Sequence, residues 1–125
     1  MAKMLENLHG VDSDLNSAIN FNQSGLAVDE IQGVLAAVYG ENDEADWYWV
    51  IKKKDGTWGL GVGGCDYTGW DCQSDFSFTP ASSMKAAVEL APEVELSRGR
   101  KIRAALKSQI LGLEAFGVIS GTHNA

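Results

Sequence analysis

The chain has 125 residues, 45% of them hydrophobic and 22% charged, with a formal net charge of −7. That is enough chain for one real core in an ordinary globular balance, and a single domain is expected over residues 1–125. No apolar run approaches the roughly 18 residues that span a bilayer, residues 1–10 lack the apolar stretch of a signal peptide, and an acidic balance disfavours direct nucleic-acid binding, which phosphates reserve for basic surfaces. A cytoplasmic protein with reduced thiols and no membrane segment is therefore expected.

The charge is unevenly spread. Residues 1–48 hold nine acids against one lysine, a net −8, whereas residues 93–125 hold five cations against three acids, a net +2. The basic segment 98–107 is a counterpart for an acidic partner, including the N-terminal part of a second copy.

Met4 or Leu5, Leu8, Val11, Leu15 and Ala18 recur at spacings of three and four, which predicts helix. Gly10 interrupts the pattern, and Asp12 or Ser13 offers a new N-cap. Residues 1–22 are expected to form an N-terminal helical arm, packed on its own domain or exchanged to build a homodimer. Residues 28–39 carry the clearest helical pattern. Val28, Ile31, Val34, Leu35 and Val38 share a face, Asp29 and Glu30 sit in the first turn, and Gly40 follows as a stop. Residues 41–46 form an acidic connection.

Trp47 to Lys54 is rich in aromatic and β-branched residues and predicts a strand. Asp55-Gly56 is a hairpin signal, and Thr57 to Gly63 is the return strand. A two-residue turn would set Lys53 opposite Trp58, Ile51 opposite Leu60 and Trp49 opposite Val62, with the apolar pairs facing the core. Gly59, Gly61 and Gly63 would then fall on the other face, opposite Lys52, Val50 and Tyr48. Such a bare strip calls for aromatic cover, with Tyr48 folding over its glycine, or for close approach of a helix or ligand.

Residues 75–78 are a candidate third strand. Thr79-Pro80 has the form of a helix start, with Met84, Ala87, Val88 and Ala91 as the apolar face and Pro92 as the stop. A last helix is expected from Ser97, striped by Ile102, Leu106, Ile110, Leu113 and Phe116 and ended by Gly117, with 120–125 frayed. The expected fold is α+β: a small antiparallel sheet, made of hairpin 47–63 and strand 75–78, packed against three to four helices on one face.

The segment from Gly63 to Ser74 concentrates the chemistry. Within twelve residues it holds Cys65, Cys72, Asp66, Asp71, Tyr67, Trp70 and three glycines. Structural zinc usually takes four ligands in paired short spacings, and His9 and His123 lie near the two ends, so no metal is expected. The same two distant histidines leave a cysteine nucleophile without a base. A Cys65–Cys72 disulfide is sterically open but disfavoured in a reducing compartment. Asp66, Asp71 and Asp75 do not have EF-hand spacing, nothing sets two carboxylates across a cleft, and Gly59-x-Gly61-x-Gly63-Gly64 lies in a hairpin strand instead of opening a helix, so it is no dinucleotide fingerprint. No cofactor is expected. The residues suit a pinned loop: Asp66 and Asp71 accept backbone N–H bonds, Gly69 takes a turn, and the aromatics cover it. Tyr67 and Trp70, with Asp66, Asp71 and Gln73 around them, are also the residue types of binding hot spots.

The run Gly63-Gly64-Cys65-Asp66-Tyr67-Thr68-Gly69-Trp70-Asp71-Cys72-Gln73-Ser74, following a strand, an Asp-Gly turn and a strand, resembles small uncharacterised proteins encoded by bacteriophages and some bacteria. The resemblance covers about residues 47–78. It implies a viral accessory protein that binds a host component, and it carries no functional residue over. The leading expectation is a non-catalytic interaction protein whose partner is a host protein. The alternative is a small-ligand or nucleotide-binding domain using the glycine strip, Trp70 and Lys52 to Lys54. The third is an enzyme built on the cysteine–aspartate loop. A homodimer joined through the arm and the basic segment is a further expectation.

Overall fold

The computed structural model describes residues 15, 16, 18, 19, 26–40, 46–64, 75–95 and 99–115. A short 3-10 turn, Val28–Glu30, leads into β1 (Ile31–Val38). Then come β2 (Trp47–Lys53), β3 (Trp58–Gly64), β4 (Asp75–Ala81), α1 (Met84–Glu89) and α2 (Ile102–Ala115). The strands form one antiparallel sheet in the order β1-β2-β3-β4. The fold is α+β, as expected. Among the described residues the sheet has four strands, and two whole helices pack on it, not the three to four expected.

The expected helix over 28–39 is a strand. β1 carries two irregularities against β2, at which Gln32 and Leu35 are inserted between paired residues. Each bulge shifts the alternation by one. Ile31, Val34 and Ala37 therefore share one face at a spacing of three, which imitates a helical stripe. The preceding turn is tied to the hairpin beyond. The Glu30 carboxylate accepts from the Ala27 N–H (2.8 Å), its carbonyl accepts from Lys54 N–H (2.8 Å), and it pairs with Lys53 at 3.5 Å.

The β2–β3 turn differs from the expected one by a residue. Lys53 C=O accepts from Gly56 N–H (3.0 Å), and Lys53 N–H donates to Thr57 C=O (2.8 Å). Lys54-Asp55-Gly56 is thus a three-residue loop closed by Gly56 at φ 92°, the left-handed position that glycine adopts without strain. Asp55 Oδ1 accepts from Thr57 N–H (2.9 Å) and braces it. That one-residue change reverses the predicted register. Lys52 opposes Trp58, Val50 opposes Leu60, Trp49 opposes Gly61 and Tyr48 opposes Val62.

The two sheet faces have separate cores. On the first, Tyr48, Val50, Trp58 and Leu60 meet Met84, Ala87 and Val88 of α1 and Ile102, Leu106 and Ile110 of α2. On the second, Trp47, Trp49, Ile51 and Phe76 meet Leu15, Ala18, Ile19 and Leu26. Leu15, Asn16, Ala18 and Ile19 are helical, and the three apolar ones are buried against their own chain. The rest of the expected arm lies outside the described residues.

The glycine strip lies on this second face. Tyr48 is on the opposite face and does not cover it. Phe76 and Phe78 of β4 do. A Cβ on Gly59 would run into the Phe78 ring and stand 2.6 Å from the Thr79 carbonyl oxygen. One on Gly61 would stand 3.0 Å from the Phe76 ring and 3.1 Å from Ile51 Cδ1. The missing side chains let Trp49 and Phe76 approach from flanking strands, with ring centroids 6.0 Å apart at 53°.

β4 runs on to Ala81, so Thr79-Pro80 is strand and not a helix start. Proline is tolerated there because β4 is an edge. The N-cap of α1 is Ser83, whose hydroxyl accepts from Ala86 N–H (3.1 Å). The apolar faces predicted for α1 and α2 are those that pack, but α2 opens at Ile102, after non-helical Gly99 to Lys101, and not at Ser97. Phe116 and Gly117 lie outside the described residues. Among the described residues, no helix is long and apolar enough to cross a membrane.

Candidate functional site

The segment 65–74 connects β3 to β4, and the residues flanking it, Gly64 and Asp75, pair with each other across the ladder. Its base is therefore closed by the sheet. Asp66, Tyr67, Trp70, Asp71 and Gln73 lie outside the described residues, as do Cys65, Cys72, His9 and His123. The thiol, disulfide and zinc expectations fall on those positions.

The same end of the sheet carries the acidic connection. Val38 pairs with Tyr48, which pairs with Val62, which pairs with Ser77, so the ends of β1 and β3 and the starts of β2 and β4 lie together. Arg100 holds this end. Its guanidinium donates to Tyr39 C=O (2.9 Å) and Asp46 C=O (2.8 Å), on either side of the acidic 41–45 segment. It also binds Glu95 through two parallel bonds, Nε to Oε1 at 3.1 Å and Nη2 to Oε2 at 2.7 Å. Glu95 is only 8% exposed. A buried carboxylate needs such a planar, two-pronged partner. The turn is tightened by Gly99 N–H to Glu95 C=O (2.6 Å) and Glu95 N–H to Arg100 C=O (2.8 Å), with Gly99 at φ 67°.

Tyr48 lies within the field of this cluster. Burial, then the negative charges of Asp46 and Glu95, push its phenol above the usual range, against the opposing effect of Arg100. Glu95 holds the Arg100 guanidinium firmly in its charged form. The arrangement ties loops together. Among the described residues, no group of three or more His, Cys, Asp or Glu side chains is gathered as a metal site would require.

Sequence reasoning missed the role of Arg100, counting it in a basic cluster for an acidic partner. Arg103 is also committed internally, donating to Ala91 C=O (2.9 and 3.1 Å) and Glu89 C=O (3.1 Å) at the C-terminus of α1, where a cation is favoured. The only local signal was position: Arg100 follows a turn glycine and Arg103 lies in the first turn of a helix. Beside Arg103, an open depression of about 390 Å³ is lined by Glu93, Val94, Lys101, Ala104 and Lys107. Lys101 and Lys107 are exposed there.

The lysines at the far end of the hairpin are also engaged. Lys52 Nζ stands 4.9 Å from the Trp58 ring centroid, a cation–π contact, while burial lowers its pKa. Lys53 pairs with Glu30 and with Asp55 (3.7 Å). Gly59 and Gly61 lie under phenylalanine rings. Gly59 and Gly61 thus pack against the chain's own rings, and Lys52 and Lys53 lie against Trp58, Glu30 and Asp55, while Trp70 of the expected ligand surface lies outside the described residues. Comparison with family models, with curated proteins and with solved structures finds no match.

Proposed function

We propose that the protein is a non-catalytic interaction protein that presents the 65–74 loop from one end of a stiff sheet. The observation that carries this reading is the Gly64–Asp75 pair, which closes the loop's base on a sheet with a packed core on each face. Anchoring lowers the ordering cost that a binding loop otherwise incurs. Tyr67 and Trp70 are the anchors in this reading, and Asp66, Asp71 and Gln73 the polar contacts around them. The acidic 41–46 segment leaves the same end and adds a negative rim that steers association with a basic partner. In the phage setting implied by the sequence resemblance, the partner is a host protein that this contact inhibits or redirects.

The test is capture of partners from bacterial lysate by immobilised wild-type protein and by Trp70→Ala. A partner retained by wild type and lost by Trp70→Ala, with unchanged thermal unfolding of the variant, supports the reading. Equal retention by both would remove the loop from the binding surface.

A further inference from the structure

The two edges of the sheet are treated differently. At β1, two bulges disturb the ladder, and the Gln109 side chain from α2 clamps the outer backbone. Its Oε1 accepts from Ala37 N–H (2.9 Å) and its Nε2 donates to Ala37 C=O (2.7 Å), as a neighbouring strand would. At β4 the ladder to β3 is regular over all seven residues, from Asp75 to Ala81. From Phe76 to Ala81 the strand has no lysine and no bulge; Pro80 blunts the edge only at its own position, leaving the outward N–H groups of Phe76 and Phe78.

The phase of β4 is set by the hairpin. Lys53 and Thr57 form a bonded pair, so Ile51–Gly59, Trp49–Gly61 and Trp47–Gly63 are bonded pairs as well. Gly59, Gly61 and Gly63 therefore turn their backbone groups to β2 and away from β4. Their partners across the ladder, Pro80, Phe78 and Phe76, point their own groups outward. Pro80 agrees with this phase, since it has no N–H to give β3. Among the described residues nothing meets the outward N–H and C=O groups of Phe76 and Phe78.

We infer that β4 pairs antiparallel with β4 of a second copy, about a two-fold axis at Ser77, to make a continuous eight-stranded sheet. The segment is complementary to itself in this register. Phe76 meets the partner's Phe78 and Phe78 meets the partner's Phe76, each exchanging a full pair of backbone bonds. On the second face these are two aromatic cross-strand pairs. Ser77 opposes its own symmetry mate on the first face, where it is exposed in the single chain. Asp75 opposes Thr79, so like charges do not meet. A register centred on Phe78 would place Pro80 against Phe76 and forfeit a bond, so proline selects the first register. The contact is isologous and closes at two copies, because among the described residues each chain has one such edge. It is independent of the loop assigned above.

The test uses the full chain with Ser77→Lys, Ser77→Glu and an equimolar mixture of the two. Ser77 is exposed and its backbone serves β3, so either variant keeps the fold, checked by circular dichroism and thermal unfolding. Sedimentation should show a dimer for wild type. For each variant alone the dissociation constant should rise about tenfold or more, because like charges then face each other at the axis. The mixture should recover the dimer. In wild type, amide exchange at Phe76 and Phe78 should slow as concentration rises. A monomeric wild type at high micromolar concentration overturns the inference. So does a dimer indifferent to both charges, or exchange at these two amides that ignores concentration.

Discussion

Gly59→Ala adds one methyl group in a place where the structure leaves none. The new Cβ would overlap the Phe78 ring, which can rotate, and would lie 2.6 Å from the Thr79 carbonyl oxygen, which is held in the β3–β4 ladder. Relief requires moving β4 backbone. Overpacking of this kind costs about 1–3 kcal/mol. The gain from replacing glycine in a strand is about 0.5–1 kcal/mol, which offsets part of this and leaves a net loss of up to about 2.5 kcal/mol, about 1 kcal/mol at the middle of the ranges. Gly61→Ala is the control on the same strand and face. Its Cβ would meet only side-chain atoms, of Phe76 and Ile51, at 3.0–3.1 Å. These yield by a few tenths of an ångström, and the variant should stay within about 0.5 kcal/mol of wild type. Urea titrations with a common slope measure both differences. A Gly59→Ala protein as stable as wild type, or a Gly61→Ala protein less stable than Gly59→Ala, would refute the reasoning about this strip.

Three further outcomes are expected. Arg100→Ala removes the two-pronged bond to the buried Glu95 carboxylate and the bonds to the Tyr39 and Asp46 carbonyls; with the arginine side chain 25% exposed, the loss should be about 2–4 kcal/mol, less than for a fully buried pair, and Arg100→Lys should recover only part of it, read by urea denaturation. Gln109→Ala should cost under about 1 kcal/mol, because water replaces the exposed bonds, yet it uncovers the β1 edge and should raise the rate of aggregation followed by light scattering. Tyr48 has a folded pKa raised above its ordinary 10.0, so its contribution is fully present below pH 10 and is lost as pH rises through the folded value; Tyr48→Phe should unfold less readily in alkali than wild type when both are normalised to pH 8.

The α+β class, the hairpin and the packing faces of α1 and α2 were legible because each rests on local chemistry. Trp47 to Lys53 is aromatic and β-branched, Gly56 supplies the positive φ, and Met84, Ala87 and Val88 recur on one helical face. β1 was misread for a specific reason. Two bulges convert a period of two into a spacing of three, and burial on both faces removes the polar alternation that marks a strand. The hairpin register failed because a two-residue and a three-residue turn both accept Asp-Gly, and only packing decides between them. Here it decides by size, since Trp47, Trp49, Phe76 and Phe78 need the space opposite that Gly59, Gly61 and Gly63 leave empty. The base of the candidate site was half legible. The segment 65–74 was singled out by composition and lies outside the described residues, whereas the second tie, Arg100, spans residues 39, 46 and 95, a convergence that no local pattern encodes.

In the proposed function, the 65–74 loop binds a partner from a base held by the sheet. The most direct measurement is the dissociation constant of the captured partner for wild type, Trp70→Ala and Tyr67→Ala, each with intact thermal unfolding. Each substitution is expected to weaken binding by at least about 2 kcal/mol, or roughly thirtyfold, as hot-spot aromatics do. Affinity unchanged by both substitutions would contradict it.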